Sequence, residues 1–251
     1  MKIILSPALN VTPSPAPLPT HAPADLRTAK AWAERLRQYS PYELESLLSV
    51  SPERAVRAKL EYDAFGQREG AAVTSFRGLV YTALSAATLT PEDLAWADSR
   101  LLIFSALYGV LRPLDAISPY RLELNGKFRP EGIPLAEHWG GRFAESVMGE
   151  CVLNLASEEY AAPLRKNALP GTRITEVRAL APHRGKYRSV VAWTKQLRGA
   201  LVGYKRNITV RPQCRCRAGD GNIGVEHIVN RLRLVLARRH DDYFFCVENV
   251  F

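Results

Sequence analysis

The chain has 251 residues, 47% of them hydrophobic and 24% charged, enough apolar material to bury a sizeable core, which excludes a disordered chain and a small scaffold that depends on staples. The net charge is +9 and unevenly spread: residues 1–160 hold 16 basic and 19 acidic side chains, residues 161–251 hold 18 and 6. An anionic partner such as nucleic acid, a phosphorylated metabolite or a membrane surface is therefore expected at the last third of the chain, unless those cations only solvate exposed faces.

Lys2 to Leu5 reads as a short buried strand that runs into the loop Ser6-Pro7-Ala8-Leu9-Asn10. It is too short for a signal peptide, and no later stretch reaches the ~18–20 apolar residues of a membrane span, so a cytoplasmic protein without membrane contact is expected. Five prolines between Pro13 and Pro23 predict an extended loop over residues 11–24. Asp25 reads as the N-cap of an amphipathic helix to about Tyr39, with Leu26, Ala29, Ala33 and Leu36 on one face. Ser40-Pro41, Ser51-Pro52 and Thr90-Pro91, each followed by acids, predict three more helix starts.

Leu101 to Phe104 is an apolar strand, and residues 105–123 predict a rigid, shaped loop. A helix over Leu135 to about Glu150, a strand at 152–155 and a short helix at 156–160 follow. Residues 172–180 and 187–192 predict a hairpin. Thr194 to Arg206 is a basic helix with Lys195 and Arg198 on one face and Leu197 and Leu201 on another. A Cys- and Arg-rich loop (211–221), a helix at about 225–239 and a closing strand from Tyr243 to Val247 complete a single α+β domain over residues 1–251, with 161–251 as its basic third. Without internal repeat or linker, a monomer is expected.

Gly-rich phosphate loops, HExxH and paired CxxC motifs are absent from the sequence. The four cysteines, Cys151, Cys214, Cys216 and Cys246, make no disulfide framework. Cys214, Cys216 and His227 are a poorly spaced metal set or simply a basic loop carrying thiols. Polar clusters at strand ends are more informative: Ser6 after the first strand, Arg112, Tyr120, Arg121 and Glu123 after the second, Asn154, Ser157 and Tyr160 after the third. Ligand sites in open sheets form beyond the carboxyl ends of strands, which makes a shared cleft. The alternative for Arg112 and Arg121 is structural pairing with Asp115 and Glu123. Lys195 and Arg198 add cations suited to phosphate contacts.

Several segments occur here in one order: Leu5-Ser6-Pro7-Ala8, Phe76-Arg77-Gly78 with Val80-Tyr81-Thr82, Leu107-Tyr108-Gly109-Val110-Leu111-Arg112-Pro113-Leu114-Asp115, Pro119-Tyr120-Arg121-Leu122-Glu123, His138-Trp139-Gly140, and Asn154-Leu155-Ala156-Ser157-Glu158-Glu159-Tyr160. With Lys195, Arg198-Gly199 and Tyr243-Phe244-Phe245, they resemble the YaaA family (DUF328, UPF0246), the bacterial peroxide stress proteins. The resemblance implies a compact mixed-sheet domain of the YaaA type, with a helix-hairpin-helix-like element and a basic cleft. It further implies a role in the hydrogen peroxide response, in limiting free intracellular iron, and in binding DNA. Leu107-Tyr108-Gly109-Val110 is the segment whose backbone amides could hold phosphate in that element. Leu9 stands where the family usually has Lys, which removes a donor from the presumed cleft, and the Cys-rich loop and the end at Cys246–Phe251 also depart from the pattern.

Two functions are expected to compete. The first is a stress protein that binds DNA, or another phosphate-bearing ligand, through Ser6, Arg112, Arg121, Asn154, Ser157, Lys195 and Arg198. The second is a divergent paralogue acting as an enzyme on a nucleotide-like small molecule in specialised metabolism, with haem or iron as cofactor. There Glu123 or Tyr120 would move protons, and His138 or a cysteine would be the metal ligand, His138 being otherwise a packed helix residue. Direct iron sequestration has few clustered ligands to support it.

Overall fold

The computed structural model describes residues 1–183, 186–188, 191–205 and 244–250. In chain order these form β1 (Lys2–Leu5), β2 (Asn10–Val11), α1 (Leu26–Arg37), α2 (Pro41–Leu48), α3 (Pro52–Asp63), β3 (Gly70–Ala71), α4 (Ala72–Ser75), β4 (Phe76–Arg77), α5 (Leu79–Leu84) and α6 (Pro91–Arg100). There follow β5 (Leu101–Ser105), β6 (Gly109–Leu111), β7 (Ala116–Ile117), α7 (Leu135–Glu145), β8 (Cys151–Asn154), α8 (Glu158–Lys166), β9 (Arg173–His183), β10 (Lys186–Arg188), α9 (Val191–Lys205) and β11 (Phe244–Val250). The α+β class expected from the sequence is correct. The loop at 211–221 and the helix at 225–239 lie outside the described residues, as do Cys214, Cys216 and His227.

Seven strands make the main sheet, in the order β10-β9-β8-β1-β5-β6, with β11 on β9. β9, β8, β1 and β5 are mutually parallel, while β6, β10 and β11 run against their neighbours. Strand β1 lies at the centre, fully buried at Ile3, Ile4 and Leu5, because a parallel strand covered on both faces must be apolar throughout. The chain goes from β1 to β5 on one side and then crosses to β8 on the other. Strand order therefore reverses at β1, and the loops leaving β1, β5 and β8 emerge at one edge of the sheet.

The predicted helix starts hold, with a difference in how they are capped. Ser40 and Glu43 form a reciprocal capping box, as do Thr90 and Asp93. Asp25 stands at the N-cap of α1 but makes no side-chain cap bond. Its carboxylate instead accepts Arg142 Nε at 3.2 Å, tying α1 to α7. Trp32 joins Ala29, Ala33 and Leu36 on the buried face of α1 and meets Trp139 edge-on at 5.3 Å.

The stretch 105–123 contains the turn and second strand of the β5–β6 hairpin and then β7, which pairs with β3, and buried hydroxyls hold it together. Ser105 Oγ accepts the backbone N–H groups of Leu107 (3.2 Å) and Tyr108 (3.0 Å) and shares a hydrogen bond with Tyr120 Oη (2.8 Å). Tyr108 Oη accepts the Ser118 N–H at 3.0 Å. Gly109 has φ +70, and a Cβ there would lie 2.6 Å from the Trp139 ring. In the Leu107-Tyr108-Gly109-Val110 segment, the β5–β6 turn, the amides of Leu107 and Tyr108 are taken by Ser105 and the glycine is covered by an indole, so those two amides are not open to a phosphate. Among the described residues, helices joined by a tight turn are found instead at α2 and α3, through Ser49-Val50-Ser51.

Candidate functional site

At the carboxyl end of β1, Ser6 Oγ accepts the Ser157 N–H at 2.6 Å and lies 2.9 Å from Ser157 Oγ. Ser157 is the N-cap residue of α8 yet makes no side-chain cap; its hydroxyl is spent on Ser6. Tyr81 Oη donates to the Ser6 carbonyl at 2.9 Å, which fastens α5 to the same loop. Asn154, buried at the end of β8, accepts the Ala156 N–H through Oδ1 (3.0 Å) and donates through Nδ2 to Glu176 Oε1 on β9 (3.1 Å). Register makes that contact possible, because Asn154 and Glu176 are direct partners in the parallel ladder. Arg165, reaching from α8, pairs with both Glu176 and Glu158.

Helix α9 covers this cluster. Leu197 and Leu201 are buried, as their spacing predicts, and Gly199 lets α9 approach α5 so closely that a Cβ would fall 1.9 Å from the Val80 carbonyl oxygen. Arg198 consequently turns inward. Burial pushes its guanidinium below the usual arginine range, and the charge of Glu176 works in the opposite sense. Its Nε–H is buried and without a hydrogen-bond partner among the described residues. Lys195, one turn earlier, is exposed.

Of the residues singled out from the sequence, the structure thus assembles Ser6, Asn154 and Ser157 and, through Glu176, Arg198, with Lys195 on the adjoining turn. The others are elsewhere. Arg112 Nε pairs with Asp115 Oδ1 at 3.3 Å, and Arg112 N–H donates to Asp115 Oδ2 at 2.8 Å. Arg121 Nη2 pairs with Glu123 Oε1 at 3.5 Å, beside a small gap lined by Leu47, Leu48 and Phe128. For both arginines the structural pairing is the arrangement found. Glu123 is half exposed on that same flank.

Tyr120 is buried against Ser105, and burial pushes its hydroxyl well above the usual phenol range, which makes it a poor proton shuttle at neutral pH. It sits among buried phenols: its charge would raise Tyr62, Tyr81, Tyr108 and Tyr160 alike. His138 packs edge-on to Trp32 and Trp139, each at 4.8 Å. Among the described residues no three His, Cys, Asp or Glu side chains stand together to hold a metal, and His138 itself is exposed. No described helix is long and apolar enough to cross a membrane.

The family model for the peroxide stress protein YaaA matches residues 1–211. The chain belongs to that family. A UPF0246 protein of Saccharophagus degradans is 34% identical over 260 residues, covering 95% of this chain and 100% of that protein. One from Acaryochloris marina is 32% identical over 216 residues, 81% of this chain and 85% of its own, and one from Delftia acidovorans 40% over 178 residues, 64% and 68%.

In this YaaA family chain, sequence reasoning missed Glu176, Arg165, Tyr81 and Ser105. Glu176 had one available signal: it is an isolated acid inside an alternating strand of the most basic third. Tyr81 and Ser105 had none, since their roles come from elements far apart in sequence.

Proposed function

We propose that the protein acts in the hydrogen peroxide response by holding a phosphate-bearing ligand in the cleft between Ser6, Ser157, Glu176 and Arg198. The observation that carries this reading is the buried Nε–H of Arg198, which has no hydrogen-bond partner among the described residues; the Nε–H of Arg121 shares that state, but its guanidinium is already paired with Glu123. A buried polar group in a folded protein ordinarily has a partner, and one that lacks it marks a place for an ion or ligand. A guanidinium offers a planar fork of donors that matches phosphate oxygens, and exposed Lys195 adds a second cation for an oxygen that faces solvent.

Charge supports the same reading, because residues 161–251 carry 18 basic against 6 acidic side chains and α9 itself carries Lys195, Arg198 and Lys205, which favours an anion. DNA is one ligand of this chemistry. Limiting free iron, the other role that goes with the family resemblance, is in this proposal exerted through the ligand held in the cleft. The protein is taken to work in the cytoplasm. The test is fluorescence anisotropy with a labelled short duplex across a salt series. Contact through Lys195 and Arg198 gives a log–log slope of about −2 or steeper, and Arg198→Ala lowers its magnitude by about 1. A slope near zero would exclude duplex DNA as the ligand, and a slope near zero together with no binding of inorganic phosphate would contradict the proposal.

A further inference from the structure

A phosphodiester backbone presents acceptors and negative charge, whereas this cleft sets a carboxylate beside its cation. Glu176 accepts Asn154 and Arg165 through Oε1, and among the described residues no donor is bonded to its Oε2, the oxygen that would meet a ligand bringing hydrogen-bond donors next to its anion. The cleft is also flanked by apolar surface. Leu9 and Leu79 are each 41% exposed. Leu9 precedes the Asn10–Arg77 pair of the β2–β4 ladder and Gly78 follows it, and Ala8 Cβ lies 3.6 Å from where a Cβ of Gly78 would be. Beyond Leu79, the Val80 carbonyl abuts Gly199, the residue after Arg198. Leu9 and Leu79 thus lie along one path of neighbouring residues, from the β1 loop through the start of α5 to α9, the helix that carries Arg198.

Resting on the phosphate reading above, we infer that the ligand is a single ribonucleoside 5′-monophosphate. Arg198 and Lys195 take its phosphate, Glu176 accepts its ribose hydroxyls, and Leu9 and Leu79 support one face of its base. A carboxylate beside the ribose is the same device that recognises ribose hydroxyls in dinucleotide folds. The leucines have no donors or acceptors with which to read base identity, so the base is held by its face and is not selected.

The test is calorimetric titration of the full chain with inorganic phosphate, adenosine 5′-monophosphate, its 2′,3′-dideoxy analogue and a short duplex DNA. The mononucleotide should bind about tenfold or more tighter than phosphate, and the dideoxy analogue several-fold weaker than its parent. Glu176→Gln, which keeps an oxygen for Arg165, should close the gap between nucleotide and dideoxy analogue. Because that variant touches an ion pair of the fold, Leu9→Ser and Leu79→Ser serve as a second arm: each should weaken the nucleotide and leave phosphate unchanged.

Equal affinities for phosphate and mononucleotide, both abolished by Arg198→Ala, would overturn this inference while the phosphate reading stands. Duplex binding without mononucleotide binding would overturn it likewise. No binding of any probe, or binding indifferent to Arg198→Ala, would overturn the phosphate reading itself.

Discussion

Arginines that look alike in sequence differ here in what surrounds them. Arg112 is half exposed and holds the buried carboxylate of Asp115, so its removal strands a buried acid. Arg112→Ala should cost about 1–3 kcal/mol in urea unfolding and leave phosphate affinity unchanged. Asp115 itself is pushed above the usual carboxylate range, chiefly by burial. A raised acid binds its proton more tightly folded than unfolded, so its contribution is present at acid pH and is lost as pH rises from the ordinary carboxylate range upward. Asp115→Asn removes that dependence: its melting temperature relative to the parent chain should climb across this interval. A difference that falls with pH would reverse the assignment. Tyr120→Phe loses the bond to Ser105 and should cost about 1 kcal/mol by the same measurement.

At the scale of elements, close approaches position the cleft. Gly109 combines φ +70 with an indole 2.6 Å from any added Cβ, and Gly109→Ala should destabilise by about 2 kcal/mol or more. Gly199→Ala would drive α9 off α5 and displace Arg198, so both melting temperature and phosphate affinity should fall together. Strands β1, β5 and β8 and the Ser40 and Thr90 caps were legible in the sequence because apolar runs and Ser/Thr-Pro starts are local signals. So was the buried face of α9. The inward turn of Arg198 was not, since it depends on Gly199 meeting Val80 across more than a hundred residues. Nor was the role of Asp25, whose short-range capping pattern gives way to a long-range partner, Arg142. The covering of the Leu107–Val110 turn was not legible for a related reason: a glycine turn reads as open backbone, while Trp139, which covers it, comes from a distant helix.

Across the whole molecule, topology decides where chemistry is available. Reversal of strand order at β1 opens one sheet edge, and α9, which carries Lys195, Arg198 and Lys205, packs on α5 and β9. Arg112 and Arg121, equally charged in sequence, are paired with Asp115 and Glu123 in other regions. In the proposed function Arg198, whose buried Nε–H has no partner among the described residues, is the anion anchor. Calorimetric titration of adenosine 5′-monophosphate into the parent chain and into Arg198→Ala tests it directly. The account predicts affinity about tenfold or more weaker in the variant at an unchanged melting temperature. Affinities within about twofold of each other, with both proteins folded, would contradict it.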